Sequence, residues 1–379
     1  MSDASTGALA GLRVIEMAGL GPGPLAGQLL ADHGAEVIVI DRKSTKPDPA
    51  DVNHRGKGSL AVNLKTPEGV EIVKKLVGTA DVLIEGFRPG VMEKLGLGPQ
   101  DCHAANPRLI YGRMTGWGQD GPLAHTAGHD LNYLSITGAL HAMGPADQPP
   151  SPPLNLVADY GGGAMFLLFG ILMALYERQS SGKGQVVDTA MSEGVPAMMG
   201  LLHSMLAKGL WSPARERNML DGAAPYYRCY ETADGKYLSV GAIEPQFYAE
   251  LVQLAGMDDT DRATQNDLSL WSARAEDYAT LFRTKTRDEW VAIFDGSDAC
   301  VAPILGWDEL ETHPQNAARG TFTRVGDVLQ AAPAPRFDRT PAPAPVAPGA
   351  RGASNADVLA TLGYSADEIA RLQSDGVLT

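Results

Sequence analysis

The chain has little cysteine and little positive charge for its length. Only three of its 379 residues are cysteines, Cys102, Cys229 and Cys300, and no two of them form a CxxC pair. This spacing argues against a disulfide framework and against a cysteine-based zinc site. Basic residues number 31 against 45 acidic ones, for a net charge of −14, so nucleic acid and anionic membranes are poor partners. An anionic small molecule is compatible with this balance, because a few placed cations bind phosphates on an acidic protein.

Long apolar runs and a targeting segment are also lacking. No apolar run approaches the roughly 18 residues of a membrane helix; the longest covers residues 164–176. The first residues, Met1-Ser2-Asp3-Ala4-Ser5, carry neither a basic nor an apolar targeting region. We therefore predict a cytoplasmic protein with no membrane partner.

What is present is an alternation of strand and helix signals, in a composition of 44% hydrophobic and 20% charged residues. Apolar runs at 12–17 and 36–40, separated by a Gly/Pro turn and a helix, form an opening βαβ unit. Further strands are predicted at 81–85, 108–111 and 185–188, with helices at 66–77 and 165–178. This alternation is typical of a parallel α/β sheet.

The pattern changes in the second half of the chain. We predict an α/β fold with a large Rossmann-like parallel-sheet domain, residues 1–193, completed by residues 331–379. Linker helices would follow at 194–224, and a smaller α+β domain would cover 225–330 with a hairpin at 226–242 and short helices after it. The Ala/Pro tract of residues 331–351 must be extended and leads to a short helical tail.

The opening unit imitates a dinucleotide-binding fingerprint. Asp41 ends the second strand about 20 residues after the glycines, as a ribose-binding acid would. The match fails, because Pro24 stands where G-x-G-x-x-G needs its last glycine after Gly21. Arg42, directly after Asp41, suits a phosphate better than a ribose. These residues favour a nucleotide-bearing ligand other than a nicotinamide dinucleotide.

Two candidate proton acceptors lie in glycine-rich surroundings. His129 follows Gly128 at a predicted helix start, where backbone amides can receive an oxyanion; an ordinary loop histidine is the alternative. Asp159 precedes a glycine triplet, residues 161–163, that would let a ligand approach, and burial beside the apolar helix would raise its pKa. Its alternative role is an N-cap. Glu244, in a loop before Pro245, has by itself the character of a surface acid.

Cations follow the early strands, where open α/β sheets bind ligands. They are Arg42, Arg55, Lys57, Lys65 and Arg88. Each alone is an ordinary solvated charge, but together they suggest a site for a polyphosphate arm.

Short motifs in fixed order resemble the α-methylacyl-CoA racemases of the family III CoA-transferase superfamily. They are GLRVIE (11–16), GAEV (34–37), GFRPGV (86–91), GHD (128–130), GKGQVVD (182–188) and GAIEPQFY (241–248). The resemblance runs from about residue 9 to the C-terminus and implies this superfamily's fold and an interlocked homodimer.

The resemblance also implies roles for particular residues. His129, assisted by Glu244, and Asp159, with Asn155 beside it, would be the acid/base residues. The positions matching those that hold coenzyme A are Arg42, Ala61, Val62, Asn63, Leu64, Arg88, Gly128, Asp130 and Tyr133. Gly58 departs from the pattern, since relatives carry a basic residue there.

The function so implied is interconversion of (2R)- and (2S)-2-methylacyl-CoA by proton transfer at C2 through an enolate, with no metal or cofactor beyond the substrate's CoA. Met191, Met198, Met199, Met205 and Met219 could form an adaptable acyl-binding surface or ordinary core packing. One rival is a CoA-transferase with Asp159 as nucleophile, which has no need of His129 and Glu244. Another is a catalytically idle CoA-binding protein.

Overall fold

The protein consists of two units in the part of the chain that the computed structural model describes, residues 6–379. The first unit comprises the chain up to Thr137, Leu154–Met198 and Arg319–Thr379, and the second comprises Gly138–Pro153 and Met199–Ala318. The predicted absence of a targeting region at residues 1–5 lies outside the described residues.

A parallel sheet of six strands forms the centre of the first unit. The strands are β1 (Arg13–Met17), β2 (Glu36–Asp41), β3 (Gly58–Ala61), β4 (Val82–Glu85), β5 (Ile110–Thr115) and β6 (Gln185–Ala190). Their order is β3-β2-β1-β4-β5-β6, with every pair parallel. The Val- and Ile-rich strands β1, β2 and β4 are buried because helices cover both faces of such a sheet. The predicted α/β class with a Rossmann-like sheet is confirmed.

Helices connect these strands. They are α1 (Pro22–Asp32), α2 (Pro67–Val77), α3 (Val91–Lys94), α4 (Pro99–Ala105), α5 (Asp130–Ser135), α6 (Met165–Ser181) and α7 (Met191–Met198). Proline stands in the first turn of α1, α2 and α4, where its missing N–H costs nothing. Thr66 caps α2 by accepting from the amide of Gly69.

A π-helical segment, Leu156–Ala164, runs directly into α6. The two form one helical stretch, Leu156–Ser181, of 26 residues with a hydropathy of 1.7 in its most apolar window, 39% of which is buried. By length and composition this stretch could cross a membrane, a weak indication because the core helix of a soluble protein passes the same test. This helical stretch is therefore longer than the apolar run of residues 164–176.

The second unit packs helices on an antiparallel sheet of order β7-β8-β9. Its elements are α8 (Gly200–Ala207), β7 (Tyr227–Glu231), β8 (Tyr237–Gly241), α9 (Pro245–Ala255), α10 (Asp259–Ala263), α11 (Trp271–Phe282), α12 (Arg287–Phe294), β9 (Val301–Ile304) and α13 (Pro314–Arg319), whose last residue belongs to the first unit. Its core is aromatic, with Tyr248, Phe282 and Trp290 fully buried. The predicted hairpin and short helices are confirmed, and β9 is an additional strand.

The C-terminal part returns to the first unit. It forms β10 (Phe322–Val325), β11 (Val328–Ala331), α14 (Asn355–Thr361) and α15 (Ala366–Ser374). In the tract 331–351 that was predicted to be extended, residues 332–350 form neither helix nor strand, and residues 351–354 form a turn before α14. Leu372 and Leu378 join Leu60 and Val62 in one buried cluster. The amide of Thr379 donates to the carbonyl of Ala61 at 3.1 Å.

The structure divides the chain differently from the predicted domains. Residues 199–224, predicted as linker helices, belong to the second unit, and a helix covers only Gly200–Ala207 of them. The first unit extends to Met198 rather than residue 193, and the chain rejoins it at Arg319 rather than 331. Residues 138–153, predicted within the large domain, belong to the second unit. This excursion was not predictable, because the Pro-rich composition of residues 148–153 is that of any surface loop.

Candidate active site

The candidate site lies at the carboxyl ends of β1 and β4, where the strand order reverses and open α/β sheets bind ligands. A cavity of about 240 Å³ opens there. It is lined by the loop of residues 19–24, by Gly86, Gly116 and Gly128, and by His129, Tyr133, Asp159 and Met191, among others. The two predicted proton acceptors thus face one cavity, although 30 residues separate them in sequence.

His129 occupies the N-cap of α5 in an extended conformation. Its amide donates to Asn132 Oδ1 at 3.1 Å, and its carbonyl accepts from the amide of Tyr133 at 3.1 Å. These contacts fix the backbone while the imidazole stays solvent-accessible at the cavity wall. Helix α5 begins at this wall, and amides at a helix start are groups that can receive an oxyanion.

Asp159 lies inside the π-helical segment, so it is not the N-cap of α6. Its backbone amide donates to Asp130 Oδ2 at 2.7 Å. Burial raises the pKa of the Asp159 carboxyl, and the nearby Asp130 raises it further; a hydrogen bond from Asn155 and the proximity of His129 oppose this rise. The carboxyl therefore keeps its proton to higher pH than an ordinary aspartate.

The glycine triplet after Asp159 serves helix packing rather than ligand approach, which corrects the sequence interpretation. A Cβ on Gly162 would lie 2.7 Å from Val195 Cγ2, and one on Gly163 would lie 3.1 Å from Met191 Cγ. The partner glycine on α7, Gly194, would place a Cβ 1.9 Å from the carbonyl oxygen of Gly162. These glycines let α7 press against the segment that carries Asp159.

Tyr133 and Trp117 support the segment that carries His129. The Tyr133 hydroxyl donates to the carbonyl of Gly128, and the Tyr133 ring meets Trp117 edge-on with centroids 4.8 Å apart. Gly116 lies under this ring, where a Cβ would fall 2.0 Å from Tyr133 Cε1. Trp117 and Gly116 were missed as site residues, because the sequence shows only a loop at 116–122.

A second cavity of about 270 Å³ adjoins the first and shares His129 and Tyr133 with it. Arg88 lines it, on a loop that Glu85 holds by accepting from the amide of Phe87 at 2.8 Å. Arg113 in turn donates to Glu85 Oε1 at 2.8 Å. The structure therefore brings Arg88 to the site of the two proton acceptors.

Arg42 lines a third cavity, of about 410 Å³, which shares Gly19 and Leu20 with the first. Arg351 from the C-terminal return also lines it and donates to Asp41 Oδ1 at 2.7 Å and Asp51 Oδ2 at 3.0 Å. Sequence reasoning missed Arg351, since it sits in a Pro/Ala-rich tract far from the other cations.

Two of the predicted phosphate-binding cations face carboxylates instead, which corrects the interpretation of the cationic set. Arg55 is 2% exposed and pairs with Asp32 at 2.6 Å. Lys57 is buried and pairs with Glu16 at 2.6 Å. Lys65 is exposed. Arg42 and Arg88 are the members of the set that line the three cavities.

The segment of residues 61–64 lies beneath the C-terminal tail and lines none of these three cavities. Ala61 and Val62 are buried, and Asn63 and Leu64 are partly buried. The amide of Ala61 donates to Asn355 Oδ1 at 2.8 Å, and that of Asn63 to the carbonyl of Val377 at 2.8 Å. Gly58 begins β3 beside Ser354, whose Oγ would lie 3.2 Å from an added Cβ.

Glu244 belongs to the second unit, whereas His129, Asn155 and Asp159 belong to the first. It is the exposed N-cap of α9. Of the predicted methionines, Met191 lines the cavity beside Asp159, and Met198 Cε would lie 3.3 Å from a Cβ added at Gly161. Among residues 6–379, no group of three or more His, Cys, Asp or Glu side chains is arranged to hold a metal ion.

Comparisons with known proteins identify the family of this chain. The family model for CoA-transferase family III matches residues 9–354. α-Methylacyl-CoA racemase of Mus musculus is 44% identical over 372 residues, covering 98% of this chain and 97% of the relative. The human enzyme of that name is 42% identical over 373 residues, with 98% and 97% covered.

Among solved structures, a CAIB/BAIF family protein from Brucella suis has a similar fold. Its TM-score is 0.80 at 28% identity, with 94% of this chain and all of that chain covered. The resemblance inferred from the motifs is confirmed at the level of sequence and of fold.

Proposed function

This chain belongs to CoA-transferase family III, and on that premise we propose that it interconverts (2R)- and (2S)-2-methylacyl-CoA thioesters by proton transfer at C2. Two racemases share more than 40% of its residues over nearly the whole chain. The observation that carries the proposal is that His129 and Asp159 line one cavity. Inversion of a carbon needs one proton acceptor on each face, and this pair supplies them.

The reaction proceeds in two proton transfers. With the (2S) isomer, neutral His129 removes the proton from C2, and the electrons of the C–H bond pass into a planar enolate. Protonated Asp159 then donates its proton to the opposite face, which gives the (2R) isomer. With the (2R) isomer the roles reverse. Amides at the start of α5 hold the enolate oxygen, an interaction typically worth about 3–4 kcal/mol per donor.

The electrostatics of Asp159 suit this role. A proton donor near neutral pH needs a pKa above that of an exposed aspartate, and both burial and Asp130 raise the pKa of Asp159. Asn155 orients the carboxylate through its hydrogen bond. Glu244 would steady the imidazolium form of His129.

The CoA portion would extend from the reacting carbon toward Arg88 and Arg42, which line the two neighbouring cavities. Gly128, Asp130 and Tyr133 complete the proposed binding residues. The segment 61–64 stays a predicted binding segment, although it lines none of the three cavities. We expect no cofactor beyond the CoA of the substrate, since proton exchange at C2 needs no redox or metal chemistry. Cytoplasmic location stays a prediction.

We further propose that the chain forms an interlocked homodimer in which Glu244 reaches the partner's site. Exposed apolar side chains along α6 favour an association between chains: Met165, Phe169, Leu172, Met173 and Tyr176. Light scattering after size-exclusion chromatography tests this; a mass near 80 kDa, twice the 40.0 kDa of one chain, is expected. A monomer at micromolar concentration would contradict it.

The rival within the family is a CoA-transferase. There the Asp159 carboxylate attacks the thioester carbonyl, forms an acyl anhydride and releases CoA thiolate. That mechanism needs no base in front of Asp159, so His129 in the same cavity argues for the racemase. A catalytically idle CoA-binding protein would need neither residue.

Deuterium exchange at C2 tests the proposed reaction. Wild-type protein in heavy water should incorporate deuterium into both (2S)- and (2R)-2-methylacyl-CoA, as measured by NMR or mass spectrometry. His129→Ala and Asp159→Ala should each slow inversion by about 100-fold or more, because each removes one proton-transfer group. Acyl transfer to an added carboxylate without exchange would identify a transferase, and CoA binding without either activity would identify a binding protein.

A further inference from the structure

We propose that Asp130 is a positioning residue whose carboxylate joins the helix start of His129 to the segment of Asp159 and holds both groups at one cavity. This proposal deepens the proposed function and rests on it. The role is separate from that of the Asp130 backbone, whose amide belongs to the first turn of α5.

The geometry of Asp130 supports a link between elements. The residue is 6% exposed and directly follows His129. Its Oδ2 accepts from the amide of Ala158 at 2.9 Å and from that of Asp159 at 2.7 Å. One oxygen therefore receives two hydrogen bonds from a segment that lies 28 and 29 residues further along the chain.

These two amides need a partner from elsewhere. The first amides of a helix point away from its own carbonyl groups, and Ala158 and Asp159 are among the first residues of the Leu156–Ala164 segment. A side chain just before the helix would be the usual acceptor, but the N-cap Asn155 makes no such hydrogen bond. Asp130, which belongs to α5, accepts these hydrogen bonds instead. Its negative charge also stabilises the N-terminus of the Leu156–Ala164 segment.

The same charge acts on the proton that Asp159 carries. The titratable groups that act on Asp159 are Asp130, which disfavours its ionised form, and His129, which favours it. Asn155, the N-cap of the same segment, also favours the ionised form of Asp159. Burial raises the pKa of Tyr133 on α5, and the charge of Asp159 raises it further. Asp130 thus has two separable effects: it places the Asp159 backbone, and it helps the Asp159 carboxyl to remain protonated.

Two substitutions separate these effects. In Asp130→Asn the side-chain oxygen can still accept both amides, but the negative charge is gone. We expect kcat to stay within about tenfold of wild type. The acidic limb of the kcat/KM profile should move to lower pH by about half to one unit, both for the (2S) and for the (2R) substrate. In Asp130→Ala both contacts are lost, and kcat should fall about 10- to 100-fold while KM changes less.

Controls distinguish positioning from general stability. Asp120→Asn removes an exposed carboxylate and should leave the pH profile and kcat unchanged. Thermal unfolding is followed for every variant, because Oδ1 of Asp130 has no hydrogen-bond partner among the described residues and an amide placed there is buried.

The outcomes are distinct. An unchanged acidic limb in Asp130→Asn together with wild-type kcat in Asp130→Ala would overturn the proposal. Equal losses in both variants, in proportion to lowered melting temperatures, would also overturn it, since stability alone would explain them. If wild-type protein exchanges no proton at C2, the proposed function itself fails, and this result is independent of the variants.

Discussion

Glu16 on β1 and Lys57 before β3 form an ion pair that water does not reach. Lys57 Nζ lies 2.6 Å from Glu16 Oε2 and also donates to the carbonyl of Pro24 at 2.8 Å, in the first turn of α1, which lines the site. Burial raises the pKa of Glu16 to about 7, although Lys57 opposes this rise. Gly27 makes room for the pair, since a Cβ there would lie 1.8 Å from Glu16 Oε2. Gly27 therefore accommodates an ion pair within the protein.

Replacing Lys57 should reveal the cost of an unpaired buried carboxylate. Lys57→Met is expected to lower the free energy of unfolding by about 3–5 kcal/mol near pH 8. Loss of Lys57 removes an influence that lowers the pKa of Glu16, so the folded-state pKa rises further above its unfolded value. The destabilisation should therefore grow as pH rises and shrink toward pH 5, where the carboxyl is protonated in the folded state. Urea unfolding at both pH values measures it.

Lys65→Met is the matched control, because Lys65 is exposed. Its unfolding free energy should stay within about 0.5 kcal/mol of wild type. Equal effects of the two substitutions, or a pH-independent loss in Lys57→Met, would contradict the buried-pair interpretation. The sequence gives no sign of this pair, since its members are 41 residues apart and each alone is an ordinary charge.

The π-helical segment and α7 pack against each other at glycine residues. Gly162 and Gly194 face each other so closely that neither position has room for a Cβ. This contact lies beside Asp159, so the packing of two helices determines where a proposed catalytic carboxylate stands. Core contacts of this kind resist added volume, because protein interiors are close-packed.

Gly162→Ala should therefore impair both stability and activity. The added methyl group meets the backbone of α7 at Val195, with the amide nitrogen 2.8 Å away, and overpacking of this kind typically costs about 1–3 kcal/mol. We expect kcat to fall while KM changes less, because the displaced element carries Asp159. Chemical denaturation and steady-state kinetics measure the two effects.

Gly200→Ala is the control, because a Cβ at this exposed helical glycine has no atom within 4 Å. It should leave stability unchanged or raise it by up to about 1 kcal/mol. A stable, fully active Gly162→Ala variant would contradict this expectation, because it would show that α7 can move to accommodate the methyl group without loss.

Elements with strong apolar patterns were predictable, and short mixed ones were not. β1 and β2 are Val/Ile-rich runs bounded by turn residues, which identify buried strands. β3 escaped prediction because it reads Gly-Ser-Leu-Ala, and β9 because it contains Pro303, which an edge strand tolerates. The π-helical geometry was also missed, since it depends on contacts with α1, α5 and α7 that lie outside the segment.

At the scale of the whole molecule, the first unit is assembled from three separate parts of the chain. The last part places Ile369, Leu372, Val377 and Leu378 against the sheet edge at β3. The sequence predicted that the C-terminus returns to the large domain, but not that its helices bury core residues. Arg55 strengthens the return by donating to Gln330 Oε1 at 2.6 Å.

Leu372→Ala should test whether the tail is part of the core. Leu372 is 2% exposed, and a buried Leu→Ala change costs about 2–5 kcal/mol. Gln373→Ala changes the exposed neighbour and should cost less than about 0.5 kcal/mol. Equal melting temperatures for the two variants would mean that the tail contributes little to stability.

The ribosome releases a chain from its N-terminus, so all six strands of the sheet emerge long before Leu372 and Leu378 do. Until then the part of Leu60 and Val62 that Leu372 and Leu378 cover stays exposed, and exposed apolar surface of this kind promotes aggregation. The core of the first unit is therefore completed only after Leu372 and Leu378 have been synthesised.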